Sequence, residues 1–147
     1  MVYFKHGKEG GRIFKKASNT LLEIIVIIAI LGIVYAFTIP SHQKLIEKNK
    51  AEAANFNLLS IYNAERRYKL DNQNNQYFSC GGTCNINIIN NALSTYINDK
   101  NFVYGIVLDG AQGFRATARR VGGNLCNGKV ITVTGTNSNV VKGCAVW

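Results

Sequence analysis

A long apolar run near the N-terminus constrains this chain more than any other feature. Residues 21–39 contain a single charged side chain, Glu23, among mostly aliphatic neighbours. As an α-helix rising about 1.5 Å per residue, these nineteen residues would span roughly 28 Å, close to the thickness of the hydrocarbon core of a bilayer. The run therefore predicts a helix that crosses a membrane.

The residues on either side of the run predict its orientation. Residues 1–16 contain five Lys or Arg residues and one Glu, whereas the run contains no basic residue. The positive-inside rule places such an N-terminus in the cytoplasm and the C-terminal part on the far side of the membrane. The run ends in Thr-Ile-Pro-Ser-His without the small-residue site of a secretory signal. We therefore expect no cleavage after the run.

Glu23 is the anomaly of the run. An isolated carboxylate near the end of a membrane helix costs about 2–3 kcal/mol. One interpretation is that Glu23 lies at headgroup level, where water and the helix dipole tolerate it. The other is that a positive partner compensates its charge. The residues alone leave both open.

The N-terminal region resembles the signature of type IV pilins and the related pseudopilins. The resemblance covers about residues 12–56 and rests on Lys15-Lys16-Ala17-Ser18, on residues 19–23, on the Ile-rich run, on Gly32 and on Pro40. In that family a prepilin peptidase removes a short basic leader on the cytoplasmic side, and the new N-terminal residue is methylated.

The register of the resemblance implies the cleavage position. If Glu23 is the fifth mature residue, as in the family, the peptidase cuts between Ser18 and Asn19. Ser18 stands where the family usually has Gly, and Asn19 where it usually has Phe. A cut after Ala17 is the second choice, and it would shift Glu23 and Pro40 by one position.

The resemblance also implies roles for three residues of the helix. Glu23 would pair with the α-amino group of a neighbouring subunit, which compensates its charge and sets the axial register. Gly32 and Pro40 disfavour a regular helix, so a kink or local melting is expected between them. In the family this stretch is implicated in the change from the membrane form to the assembled form. The alternatives are close helix packing at Gly32 and a simple kink at Pro40.

Beyond the run, the pattern predicts an α+β fold. Residues 41–70 show an amphipathic stripe at steps of mainly three or four, and residues 71–76 favour a turn that ends the helix. The predicted stripe consists of Leu45, Ala51, Ala54, Leu58, Ile61, Tyr62, Glu65 and Tyr68. The expected architecture is a long N-terminal helix, hydrophobic and then amphipathic, packed on a small C-terminal antiparallel sheet.

The sheet is predicted from alternating residues in the last third of the chain. Residues 102–108 and 114–121 read as one hairpin, with Phe114, Ala116 and Ala118 on one face. Residues 129–134 and 139–142 read as a second hairpin around a turn at 135–138. A short helix is predicted over residues 87–97, within an otherwise irregular region.

Four cysteines in a domain outside the cytoplasm favour disulfides. Three connectivities are possible, and we favour Cys80–Cys84, adjacent along a Gly-rich turn, with Cys126–Cys144, which would close a loop around the last hairpin. A disulfide-bounded C-terminal loop also recurs in the pilin family, and the second pair lies where that loop should be. A zinc site is the less favoured alternative, because the Cys-x3-Cys spacing and the lack of a nearby His fit it poorly.

Enzymatic chemistry finds little support in the sequence. Its two histidines are His6, in the leader, and His42, beside the membrane, so a His-based triad or metal cluster in the outer domain is not expected. No phosphate-binding Gly motif is present, and we expect no cofactor and no bound metal. No Asp or Glu follows Asp109, which counts against the calcium-stabilised major pseudopilins of type II secretion and favours a pilus subunit.

The leading hypothesis is therefore a structural subunit of a type IV pilus or pilus-like filament. The expected organisation is a leader at 1–18, a membrane or filament-core helix at 19–43 and a globular head at 44–147. The expected partners are a prepilin peptidase, the bacterial inner membrane with its assembly machinery, and further copies of the chain in a helical filament. The head would face outward and end in an extracellular or periplasmic filament.

Three alternatives remain at this point. The chain could be a pseudopilin of type II secretion, or a single-pass anchored periplasmic domain that never assembles. It could also be a minor pilin that binds DNA. We regard DNA as a less favoured partner, because no aromatic residues interleave with the charges. The charges that such a role would use are Arg115, Arg119, Arg120, Lys129 and Lys142.

Overall fold

A computed structural model describes residues 11–110, 113–123 and 125–147 of the chain. The order of elements is α1 (Gly11–Asp71), α2 (Ile86–Leu93), β1 (Phe102–Leu108), β2 (Phe114–Arg120), β3 (Val130–Thr134) and β4 (Asn137–Lys142). The chain divides into two compact units, Met1–His42 and Gln43–Trp147. The second unit contains the C-terminal part of α1, the short helix and the sheet.

The sheet is a four-stranded antiparallel meander in the order β1-β2-β3-β4. Phe102 pairs with Arg120 and Leu108 with Phe114 in the first hairpin, and Ile131 pairs with Lys142 in the last one. The α+β prediction is therefore confirmed. The last turn is tighter than expected, because β4 already begins at Asn137 rather than after a four-residue turn.

The core of the second unit lies between α1 and one face of the sheet. Side chains at steps of three or four on α1 meet every second side chain of the strands. The buried members are Ala51, Ala54, Leu58, Ile61 and Ala64 from the helix and Phe102, Tyr104, Ile106, Phe114, Ala116, Ala118, Ile131 and Val133 from the sheet. Both the predicted helix stripe and the predicted phase of β2 are confirmed over these positions.

The prediction of a buried stripe was wrong for one residue, Leu45. Leu45 is 54% exposed, whereas Glu47 is buried. Glu47 precedes Ala51 by four residues and so continues the stripe, while Leu45 lies about 200° further around the helix, on the opposite side. The short helix also ends earlier than predicted, at Leu93, because Ser94 adopts a left-handed conformation with φ 51°.

The free side of β1 is covered by an irregular stretch, residues 78–84, which we call the edge segment. The backbone N–H groups of Cys80 and Cys84 donate to the carbonyls of Ile106 and Tyr104, at 3.1 and 2.8 Å. Covering an edge strand in this way removes backbone groups that could pair with another chain. The edge segment therefore protects the β1 edge of the sheet from pairing with another chain.

We expect Gly105→Ala to destabilise the second unit. A Cβ built on Gly105 overlaps the carbonyl oxygen of Gly82, so the edge segment must move away from β1. Overpacking of this kind costs about 1–3 kcal/mol. Urea unfolding of the full chain in detergent, followed by the fluorescence of the single tryptophan, Trp147, measures the loss.

The matched control is Gly82→Ala, where nothing lies within 4 Å of the added methyl group. Equal unfolding midpoints for the two variants would contradict the close approach of Gly82 to Gly105.

Candidate functional site

The first candidate site is the apolar surface of α1 in the N-terminal unit. Every residue from 20 to 39 is exposed in the single chain. The large apolar side chains range from 46% exposure at Ile39 to 76% at Phe37. Surface of this kind is far more apolar than a soluble chain leaves in water, and the helix is long and apolar enough to span a bilayer.

Glu23 lies within this surface. Its side chain is exposed, and no ion pair joins it to another residue of the described part of the chain. Its nearest helical neighbours on the same face, one turn on, include the exposed Ile27. A carboxylate in such apolar surroundings needs a positive partner from beyond the described side chains, or water at the membrane surface.

Gly32 and Pro40 both lie within α1, which continues through them as helix. A Cβ built on Gly32 meets nothing within 4 Å, so nothing in the described chain packs closely against this glycine. Near Pro40, Thr38 Oγ1 donates to the carbonyl of Val34 and Ser41 Oγ to that of Thr38, each at 2.8 Å. Such side-chain bonds occupy helix carbonyls and favour bending. Local melting between the two residues stays a prediction.

The cleavage residues lie on the same helix. Ser18 and Asn19, like the alternative position Ala17, fall within α1. Their side chains lie outside the part of the structure that is described. Cleavage and methylation at this point therefore stay predictions from the sequence.

The second notable group is a buried ion pair at the start of the head. Arg120 Nη2 lies 2.7 Å from Glu47 Oε1, and Nε lies 2.9 Å from Oε2, so the contact is bidentate. The side chains are 3% and 8% exposed. Arg120 Nη1 also donates to the carbonyls of Asn101, at 3.0 Å, and Val121.

The pair shifts the pKa of both partners. The hydrogen bond from Arg120 holds the pKa of the Glu47 carboxyl below its usual value, against the opposing effect of burial. The same hydrogen bond raises the pKa of Arg120. Both groups are therefore charged near neutral pH, and the pair ties α1 to the end of β2.

Sequence reasoning missed this pair, although the pattern contained a signal. Glu47 continues the apolar stripe of α1, and Arg120 continues the buried alternation of β2 after Phe114, Ala116 and Ala118. A charged residue on each of two facing apolar surfaces indicates a buried partnership. Arg120 was instead grouped with surface charges.

The basic face considered for DNA binding is not formed as predicted. Arg120 is buried in its ion pair, which removes it from any basic surface. Arg115 pairs with Asp109 and Lys142 with Glu52, each at 2.7 Å. These pairings neutralise the local field that a polyanion would meet. Arg119 and Lys129 are exposed and form no ion pair within the described residues.

The four cysteines form two disulfides, Cys80–Cys84 and Cys126–Cys144. The Cα atoms of the two pairs lie 5.8 and 5.9 Å apart. Because each of the four sulfurs is part of a disulfide, they offer no thiolate for the alternative zinc site. The second disulfide encloses β3 and β4, and the first closes part of the edge segment.

Comparison with known proteins gives one curated relative. The chain is 38% identical over 58 residues to the type II secretion system core protein G of Vibrio cholerae serotype O1 (strain ATCC 39315 / El Tor Inaba N16961). The matched part is 40% of this chain and 40% of that protein, so the chain spans less than half of the relative's length. The N-terminal apolar helix of the chain fits that of the type IV pilin and pseudopilin family.

No family model and no solved structure matches the chain. The pilin-type assignment therefore depends on the similarity over 58 residues and on the exposed apolar helix. The α+β head agrees with a pilin-like fold.

Proposed function

We propose that the chain is a structural subunit of a pilus-like filament, processed by a prepilin peptidase and assembled through its N-terminal helix. The observation that carries the proposal is the exposed apolar surface of residues 20–39 with Glu23 inside it. In a bilayer this surface faces lipid. In a filament it faces the helices of other copies, so little hydrophobic stabilisation is lost on leaving the membrane.

The geometry of such an assembly follows from two charges at the N-terminal end of the mature helix. An amine created between Ser18 and Asn19 is one charge, and Glu23 of a second copy is the other. Contact between different surfaces of identical subunits does not close on itself, so it generates a filament. Under this proposal the leader is 1–18, the filament-core helix is 19–43, and the head is 44–147, outward of the inner membrane.

A secretion pseudopilin is the second candidate, and the similarity to a type II secretion core protein favours it. The lack of Asp and Glu after Asp109 favours a pilus subunit. Deleting the chain from its host separates the two: loss of surface filaments with normal protein export supports the pilus, and loss of export supports the pseudopilus.

Mass spectrometry of the mature N-terminus tests the proposal. When the chain is produced with a prepilin peptidase, we expect it to begin at Asn19 and to carry one added methyl group. The same chain produced without the peptidase is the control and should keep Met1. A mature start at Ser18 would support the cut after Ala17. An intact N-terminus in the presence of an active peptidase would support an anchored domain that never assembles.

A further inference from the structure

Glu65 is a buried carboxyl group that the proposed function does not use. It lies on α1 within the second unit, and its side chain is 0% exposed. Its Oε2 accepts a hydrogen bond from the backbone N–H of Phe78 at 2.9 Å. Its Oε1 is buried without any hydrogen-bond partner in the described structure. Burial of a carboxylate oxygen without a partner strongly disfavours the ionised form.

Phe78 is the first residue of the edge segment. The next two residues bind β1 directly: Ser79 Oγ and the Cys80 N–H both donate to the carbonyl of Ile106, at 3.2 and 3.1 Å. The Phe78 ring lies 6.0 Å from the ring of Tyr68 on α1. Glu65 therefore binds the first residue of the edge segment to α1, at the point where the segment begins to cover β1.

The residue that binds Glu65, Phe78, and the residues three positions before and after it on α1, Tyr62 and Tyr68, are aromatic. From the sheet, Phe114 packs against Tyr62 and Tyr77, at centroid distances of 6.0 and 4.8 Å. The cations of this part of α1 lie over rings: Arg66 is 5.8 Å from the Tyr62 centroid, and Lys69 is 4.6 Å from that of Tyr77. Elsewhere on the elements around it, the titratable and charged groups are Arg67, Tyr68, Asp71 and Arg115. None of the described cations pairs with Glu65.

We propose that Glu65 acts as a pH-dependent latch: its protonated form holds the edge segment against β1, and its ionised form releases it. Ionisation places a charge in an apolar site with one hydrogen bond. Because water can reach that charge only if the edge segment moves away, the open form becomes less costly once the carboxyl group is ionised. Opening exposes unpaired backbone groups of β1, which can pair with another strand.

The direction of the effect follows from the carboxyl group's pKa. Burial is the largest cause of its shift and raises the pKa of Glu65 to about 7, while the hydrogen bond from Phe78 lowers it by less. A carboxyl group with a raised pKa in the closed form favours that form at low pH. The preference for the closed form is complete below about 4.5, the ordinary value, and declines as pH rises to about 7.

Hydrogen–deuterium exchange of the full chain in detergent tests the latch. After correction for the intrinsic pH dependence of amide exchange, we expect opening of residues 78–84 to increase on the order of 50-fold between pH 5 and pH 8. Amides in the centre of β2 and β3 should show no comparable increase. This measurement does not depend on assembly. A failure of the latch proposal therefore leaves the filament proposal intact, and a failure of the filament proposal leaves the latch proposal intact.

Two variants separate the latch from general acid effects. Glu65→Gln keeps an oxygen that can accept the Phe78 N–H but does not ionise, so the pH dependence of the edge segment should disappear. Glu52→Gln replaces an exposed carboxyl group of the same helix and should leave the dependence unchanged. Equal opening of the wild-type segment at pH 5 and pH 8 would overturn the proposal. An unchanged pH dependence in Glu65→Gln would also overturn it. If that variant does not fold, the wild-type exchange at pH 5 and pH 8 decides between the outcomes.

Discussion

Replacing Glu23 with alanine is expected to abolish filament formation while leaving membrane insertion intact. The carboxylate has no ionic partner within the described chain and lies among exposed aliphatic side chains. Its removal makes insertion about 2–3 kcal/mol less costly, so the variant should enter the membrane at least as well as the wild type. The loss falls on assembly, because the amine of the next subunit then enters the filament core without a counter-charge.

The measurement combines membrane fractionation with electron microscopy of filaments from cells that contain the assembly machinery. Glu23→Gln should fail as Glu23→Ala does, because an amide keeps the size but not the charge. Ile24→Leu is the matched control, since it changes the neighbouring exposed side chain without changing charge or volume, and it should assemble. Normal filaments from Glu23→Ala would exclude the docking role and leave the interpretation of Glu23 as a tolerated headgroup-level acid.

Arg120→Ala is expected to produce the second large effect, a destabilisation of the head by about 3–5 kcal/mol. The substitution leaves the nearly buried Glu47 with Lys50, 3.3 Å away and 32% exposed, as its remaining ionic partner, and the carbonyls of Asn101 and Val121 lose the guanidinium as a donor. Glu47→Ala should cost a similar amount, because it strands the guanidinium. Urea unfolding of the full chain in detergent, monitored by Trp147, gives the free energy of unfolding for each variant.

The pair Glu52–Lys142 is the matched control for this experiment. It has the same short separation, 2.7 Å, but its side chains are 50% and 27% exposed, so Lys142→Ala should cost much less than Arg120→Ala. The double variant Glu47→Leu with Arg120→Met should recover part of the loss, since it leaves no unpaired member of the buried pair, and only the part-exposed Lys50 loses a partner. Equal losses for Arg120→Ala and Lys142→Ala would show that burial does not decide the contribution of these pairs.

The pair Glu47–Arg120 also predicts how the stability of the head depends on pH. The pKa of Glu47 is lowered in the folded chain, so its contribution to stability is complete above the ordinary value of 4.5. It is lost as the pH falls through the lower folded value. The effect is opposite in sign to that of Glu65, whose contribution weakens as the pH rises towards 7. Stability of the wild-type head should therefore be greatest in mildly acidic solution.

The sequence alone determined the long apolar helix, the fold class and most of the core. Residues 21–39 contain too few polar groups to be anything but a buried or membrane helix, and the change from a period near 3.6 to a period of two marks where the helix gives way to the sheet. The phase of β2 was predicted because Phe114, Ala116 and Ala118 alternate with polar residues. These features are local, so neighbouring residues suffice to reveal them.

The tertiary structure decided which charged residues face each other. Arg120 was predicted to be a surface cation, but it meets Glu47 seventy-three positions earlier in the chain. Glu65 was correctly placed on the helix stripe, yet its bond to Phe78 depends on how the chain turns back after Asp71. Pairing between distant residues arises from packing of α1 on the sheet, and a local pattern contains no information on which charges that packing brings together.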